Sequence, residues 1–266
     1  MNLAPQQTVL DHYAQQASQF GLAAEATMPD LIVRQKEVEA LLAFLEHVHP
    51  SMVRLLEIGC GNGYLLEQIE RRFGTRFACT GIDATPQFIE SARRRGLAAQ
   101  FHVADLRALP MPDASFDIVL SERVIINLLD PAQQVAAFGE VARVLRPGGL
   151  FTAIEGFKTG LENLNRARAD FLLPPIPEPP VNNWFTEERW QLCLAGRFRP
   201  APSAATAPLA PTNFLSSHYF MTRFFHDVIR PAGGKLRNTE MAFFFAAALP
   251  AVGDYSPLRI NYLERV

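Results

Sequence analysis

Val53-Arg54-Leu55-Leu56-Glu57-Ile58-Gly59-Cys60-Gly61-Asn62-Gly63 decides how this chain is read. Its first six residues are mostly apolar and follow Pro50-Ser51, the pattern of a short buried strand. Three glycines at alternate positions come next, and helical spacing begins at about residue 62 and runs to 74. A strand that passes through glycines into a helix lets backbone approach a ligand closely. It also presents the free N–H groups and positive dipole end of that helix.

The same alternation continues outward. Phe77–Ile82 and Gln100–Ala104 read as strands, with a helix at about 86–95 between them. Thr85-Pro86 is a suitable start for that helix, a capping hydroxyl followed by proline in the first turn. Ser115–Ser121 reads as a fourth strand and Pro131–Leu145 as an amphipathic helix. Arg146-Pro147-Gly148-Gly149 stops that helix and opens a fifth strand, Leu150–Glu155. Strands alternating with helices of this length predict a parallel sheet covered on both faces. Upstream, residues 6–20 and 30–48 read as helices, with Leu31, Val38, Leu41, Leu42 and Leu45 on one face. Downstream, residues 171–213 are proline-rich, which favours a rigid extended path. Asn213–Ile229 and Thr239–Leu249 are aromatic helical stretches, and Leu258–Leu263 is strand-like. The expected organisation is a helical cover over 1–48, a core over 49–156, a substrate-side elaboration and lid over 157–250, and a closing strand over 251–266.

Composition narrows the classes. A chain of 266 residues with net charge −2 lacks the broad basic surface of a nucleic-acid binder. Cys60, Cys79 and Cys193 form neither a disulfide framework nor a metal-ligand spacing, so no metal is expected. The N-terminus has no basic region followed by an apolar run, and the apolar run Met241–Pro250 is too short to span a bilayer. The expected location is cytoplasmic.

The glycine loop suits two ligand families, dinucleotides and S-adenosylmethionine. Gly59, Gly61 and Gly63 have the spacing Gly-x-Gly-x-Gly, and Glu57 precedes them. A carboxylate there repels a pyrophosphate and attracts a methionine ammonium. Asp83 ends the second strand, where a carboxylate accepts from ribose hydroxyls in either ligand family. Asp105 ends the third, placed to accept from an adenine amine while Leu106 packs on the ring. Three acids at the carboxyl ends of adjacent strands put one ligand across the crevice of an open sheet. Each acid taken singly also reads as a helix cap.

In order along residues 53–156, Leu55–Gly63, Gly81-Ile82-Asp83, Ala104-Asp105-Leu106, Phe116-Asp117-Ile118-Val119 and Val144–Gly149 resemble the successive motifs of class I S-adenosylmethionine-dependent methyltransferases. The resemblance implies a Rossmann-like α/β fold: a seven-stranded sheet, mostly parallel with an antiparallel last strand, and a helical, proline-rich lid insertion. It implies S-adenosyl-L-methionine as cofactor, with contacts at Glu57, Gly59, Gly61, Asp83, Asp105 and Ser121-Glu122. The neighbouring Cys60, Asn62, Gly63, Ala84, Ala104 and Leu106 join that set. A looser similarity is to a bacterial subgroup associated with surface-polysaccharide or secondary-metabolite pathways, carried by Ala26–Asp30 with Arg34, Ser121–Leu128 and Glu155-Gly156. The Trp-His-Asn segment common in that subgroup is Asn182-Asn183-Trp184 here, without the histidine.

Methyl transfer is an in-line displacement, and orientation is worth up to roughly 7–11 kcal/mol, so the lack of an obvious base is no argument against activity. Glu122 either faces the cofactor, accepts a proton from an acceptor hydroxyl or is a helix-start carboxylate, Arg123 holds an anionic acceptor or is solvated or salt-bridged, and Asn127 is a further acceptor contact. His218 is a candidate base and Tyr219 a candidate substrate contact, in a segment that is either a lid or plain core. Arg34 either pairs with the methionine carboxylate or is an exposed helix arginine. The leading expectation is O-methylation of a small-molecule or saccharide acceptor, without nucleic acid. C- or N-methylation of an apolar metabolite, a non-catalytic cofactor-binding protein and a nicotinamide-dependent dehydrogenase remain open.

Overall fold

The computed structural model describes residues 5–48, 53–202, 209–229 and 238–266. The first four residues, the Pro50-Ser51 strand entry and Lys235 lie outside them. In chain order come α1 (Pro5–Phe20), α2 (Leu31–Glu46), β1 (Val53–Ile58), α3 (Tyr64–Phe73), β2 (Phe77–Asp83), α4 (Pro86–Arg93) and β3 (Gln100–Val103). There follow β4 (Phe116–Glu122), α5 (Pro131–Val144), β5 (Leu145–Gly156), α6 (Lys158–Ala169), α7 (Glu187–Leu194) and β6 (Phe198–Pro200). The chain closes with α8 (Ser216–Phe220), a wider π turn, α9 (His226–Ile229), α10 (Glu240–Ala248) and β7 (Leu258–Arg265).

Among the described residues the strands form one seven-stranded sheet of order β3-β2-β1-β4-β5-β7-β6. β1 pairs in parallel with β2 and β4, and β7 runs antiparallel to both β5 and β6. The central strands β1 and β4 and the second half of β5 are buried on both faces, as a parallel sheet under helices must be. Leu55, Ile118 and Ile154 face one core with Leu41, Leu45 and Leu66 of α2 and α3. Leu56, Val119 and Phe151 face the other with Phe138 of α5 and Trp190 of α7. Phe138 meets Phe151, Phe185 and Trp190 edge-on, at centroid distances of 5.7, 6.1 and 5.2 Å. That offset geometry is the favourable one for aromatic quadrupoles.

Local rules explain most element boundaries. Asp30 caps α2 by accepting from the Val33 amide at 3.2 Å, and Asp130 caps α5 ahead of Pro131. α3 buries Leu65, Leu66 and Ile69 and turns Glu70, Arg71 and Arg72 away. At α4 the expected Thr85 hydroxyl cap is absent; instead the Asp83 carboxylate accepts from the Thr85 amide at 2.8 Å. The proline run is held extended by α6. Asn165 exchanges two hydrogen bonds with the backbone of Ile176, and Arg168 Nε donates to the Pro174 carbonyl. The expected single helix over 213–229 is instead α8, a π turn and α9 in succession. β5 begins at Leu145 rather than Leu150, with an irregularity opposite Phe116 and Ile118. No helix among the described residues is long and apolar enough to cross a membrane.

Candidate functional site

The chain runs outward from β1 to β3, then returns to β4 on the other side of β1. That reversal opens a crevice at the carboxyl ends of β1 and β4, the usual ligand position in open α/β sheets. The glycine loop leaves β1 there. Gly59 has φ +67°, and a Cβ on it would lie 2.4 Å from Val124 Cγ2. Only glycine permits that backbone and that contact.

Beside the loop lies a hollow of about 240 Å³ lined by Thr27, Arg34, Glu57, Gly59–Asn62, Glu122 and Arg123. Arg34, from α2, donates through Nη1 to Glu122 Oε2 at 2.7 Å, with its guanidinium 5.0 Å from the centre of the Tyr64 ring. Glu57 is the penultimate residue of β1 and is 2% exposed. Arg34 Nε, Glu57 Oε2 and Glu122 Oε1 are all buried with no hydrogen-bond partner in the protein. Buried polar atoms without partners are rare and point to a ligand. Burial, together with Glu122 and Asp83, raises the Glu57 carboxyl well above the usual carboxylate range; Arg34 opposes this.

Arg123 sits at φ +58°, in a region disfavoured for a residue with a side chain. Its guanidinium is fully engaged, donating to Glu37 at 2.8 and 3.2 Å and to the Thr27 carbonyl at 2.9 Å. Burial pushes Glu37 up to about 6, although Arg123 opposes the shift. Of the two readings of Arg123, the structure shows the salt-bridged one. The loop also fastens the N-terminal segment, because Asn62 Nδ2 donates to the carbonyls of Gly21 and Ala23, both at 2.9 Å.

A larger cleft of about 870 Å³ continues from this hollow, and Thr27, Gly59, Glu122 and Arg123 line both. One wall is Asp83-Ala84-Thr85, with Ala104-Asp105-Leu106 beside it. Asp83 accepts from the amides of Gly61 and Thr85 at 3.0 and 2.8 Å; burial raises its carboxyl pKa and those amides oppose the rise. Asp105 is more exposed, and both its oxygens are held by Arg107, whose hydrogen bonds lower its pKa. The adenine-amine role expected of Asp105 therefore competes with Arg107. The opposite wall was not identified from the sequence: it is Gln6, Val9, Leu10 and Tyr13 of α1, with Phe88 of α4 beneath. Leu128 completes it, together with Asn127, the one residue of this wall expected from the sequence as an acceptor contact. The helical cover expected over 1–48 came with none of these α1 side chains named.

Several expected residues lie elsewhere. Gly63 lines neither space; a Cβ on it would meet Ala92 and the Phe101 ring at 3.1 Å, so it is a packing glycine. Ser121 also lines neither, its hydroxyl donating to the buried Glu155 carboxyl. Glu155 also accepts from the amides of Val124, Ile125 and Ile126, and burial pushes it up to about 7. Cys60 is buried, which pushes its thiol up and away from nucleophilic use. His218 and Tyr219 do not reach the cleft. His218 Nε2 lies 3.1 Å from Asp30 Oδ2, Arg223 donates to the same oxygen at 2.8 Å, and Tyr219 packs with Val33, Leu215 and Leu258. Burial disfavours a charged Asp30, yet His218 and Arg223 hold its carboxyl well below the usual range. The lid reading fails here because the segment's apolar face is spent on the start of α2. His218→Ala is expected to lower unfolding free energy by about 1–3 kcal/mol in urea titrations; no change would show that the contact contributes nothing. Among the described residues, no group of three His, Cys, Asp or Glu is arranged to hold a metal ion.

A family model described as a methyltransferase domain matches residues 55–149. A malonyl-(acyl-carrier protein) O-methyltransferase of Enterobacter lignolyticus is 30% identical over 184 residues, covering 68% of this chain and 67% of the relative. A ubiquinone biosynthesis O-methyltransferase of Methylocella silvestris is 34% identical over 164 residues, 60% of this chain and 59% of the relative. The chain spans less than half the length of the first curated relatives it matches, 27%, 44% and 43%. A chain from the Haloferax volcanii complex containing the Trm112 methyltransferase activator superposes with TM-score 0.56 at 16% identity, over 94% of this chain and 96% of that one. That likeness concerns the fold alone.

Proposed function

The chain belongs to the class I S-adenosylmethionine-dependent methyltransferases, and from that premise we propose that it transfers a methyl group to an oxygen of a small-molecule acceptor. The observation that carries this reading is the set of buried, unpartnered atoms beside the glycine loop: Glu57 Oε2, Glu122 Oε1 and Arg34 Nε. They fit the two charged ends of a methionine moiety, an ammonium toward the carboxylates and a carboxylate toward the guanidinium. A pyrophosphate would instead meet two carboxylates there, which disfavours a dinucleotide.

When bound, S-adenosylmethionine supplies a methyl carbon activated by a sulfonium. Glu57, Glu122 and Arg34 would hold its amino-acid end, Asp83 its ribose, and Ala84, Ala104 and Leu106 its base. Gly59, Cys60, Gly61 and Asn62 form the loop beneath. Thr27, Gly59, Glu122 and Arg123 would then flank the sulfur, since they line both spaces. The chain would present the acceptor oxygen to that methyl carbon from the larger cleft. The work of the chain is orientation and exclusion of water, for which α1 is placed.

Val9, Leu10, Leu106 and Leu128 give the cleft an apolar lining, which suits a small apolar acceptor better than a saccharide. The relatives named as O-methyltransferases support oxygen as the methylated atom. We extend the proposal to one domain, with a helical cover over 1–48, a core over 49–156, an elaboration over 157–250 and a closing strand over 251–266, and to a cytoplasmic location. Calorimetric titration tests the assignment: S-adenosylhomocysteine binds with 1:1 stoichiometry and a nicotinamide dinucleotide does not. Dinucleotide binding in its absence would overturn the reading.

A further inference from the structure

The acceptor end of the cleft is built around Asn127, and its polar atoms are nearly all committed. Asn127 Nδ2 donates to the Arg123 carbonyl at 3.1 Å, which fixes the orientation of its amide. Asn127 Oδ1 accepts from Asn182 Nδ2 at 2.7 Å and from the Tyr13 hydroxyl at 3.3 Å. Gln6 Nε2 donates to the Asn127 carbonyl at 3.2 Å. The Tyr13 proton is therefore directed at Asn127, and the lone pairs of its oxygen remain for a ligand. Burial pushes the Tyr13 hydroxyl above its usual pKa, so it stays protonated in that arrangement.

The charges lining the cleft point the same way. Arg107 is bound to Asp105 and Arg123 to Glu37, and these are the cations lining the cleft among the described residues. Asp83 also lines it and is held only by hydrogen bonds, without a cationic partner. A carboxylate entering here finds no uncommitted cation among the described residues.

We propose that the acceptor is an apolar molecule presenting a neutral hydroxyl, oriented by donating its O–H to Tyr13 Oη, and that the site discriminates against carboxylates. The proposal rests on the methyl-transfer reading. Tyr13 is a positioning residue in it: an O–H directed at Tyr13 leaves a lone pair of the acceptor oxygen free to face the junction that Thr27, Gly59, Glu122 and Arg123 line. A site built to pair with a substrate hydroxyl gains its selectivity from such a contact.

Calorimetry on protein saturated with S-adenosylhomocysteine tests this with a matched pair of probes, 4-propylphenol and 4-propylbenzoate, at pH 7.5. The phenol is expected to bind at least about tenfold more tightly than the benzoate. Tyr13→Phe keeps the ring that packs near Phe88 and is expected to weaken the phenol about five- to tenfold while shifting S-adenosylhomocysteine affinity less than about twofold. Equal or tighter benzoate binding, no phenol binding, or a phenol affinity unmoved by Tyr13→Phe would each overturn the proposal. Failure to bind S-adenosylhomocysteine at all would instead sink the cofactor assignment, so the two failures are distinguishable.

Discussion

Arg34→Ala is expected to lower the unfolding free energy by about 3–5 kcal/mol, the range for breaking a buried ion pair by removing one partner. Arg34 is 5% exposed and its Glu122 partner 8%. Around them lie Glu57 and Glu37, both buried, with Arg123 the other cation of the cluster. Alanine would leave three carboxyl groups against one guanidinium. Those groups can escape part of the penalty by holding protons, because Arg34 lowers the pKa of both Glu57 and Glu37. The sign follows: a carboxyl whose folded-state pKa rises further contributes most at low pH and loses that contribution as pH climbs through the folded value. Urea titrations at pH 5.5 and pH 8 should therefore show the larger deficit at pH 8. Arg34→Lys restores charge without the forked geometry and should recover part of it. A deficit below about 1 kcal/mol, equal at both pH values, would mean that the pair is not a buried contact.

That cluster also marks where sequence reading stops. Glu57 and Asp83 were legible because a strand's carboxyl end is fixed by local pattern, and such ends face the crevice. The partner of Arg34 lies 88 residues away and that of Arg123 lies 86 away; no local spacing encodes either. Arg107 sits two residues from Asp105, yet its hold on that carboxylate depends on rotamers that the sequence leaves free. β6 escaped notice for another reason. Phe198–Pro200 has three residues and ends in proline, which is tolerated because the strand lies at the sheet edge. In Phe214–His226 the apolar density showed that the segment covers something. It could not show whether that is a ligand cleft or, as found, Val33 and Leu258.

Glu57→Gln is expected to weaken S-adenosylhomocysteine binding by about a hundredfold, the roughly 2–3 kcal/mol upper range for losing a hydrogen bond to a charged group in a buried site. The substitution is nearly isosteric with the protonated acid that burial favours in the free protein, so folding stability should move by less than about 1 kcal/mol. Affinity and stability then separate, unlike the outcome for Arg34→Ala. The pH dependence gives a second signature. An ammonium beside Glu57 favours the carboxylate and lowers its pKa, so binding releases a proton wherever the free protein still holds it. Affinity must therefore rise with pH across the interval between the bound and the raised free value. It levels once Glu57 is ionised in both states. Glutamine has no proton to release, and its profile should be flatter over the same interval. The release is also visible directly, as a binding enthalpy that varies with the ionisation enthalpy of the buffer in the native protein and varies less in the variant. Native and Glu57→Gln proteins with the same pH slope and the same buffer dependence would place the ammonium elsewhere. The alternative anchor would then be Glu122, whose Oε1 is likewise buried without a partner in the same hollow.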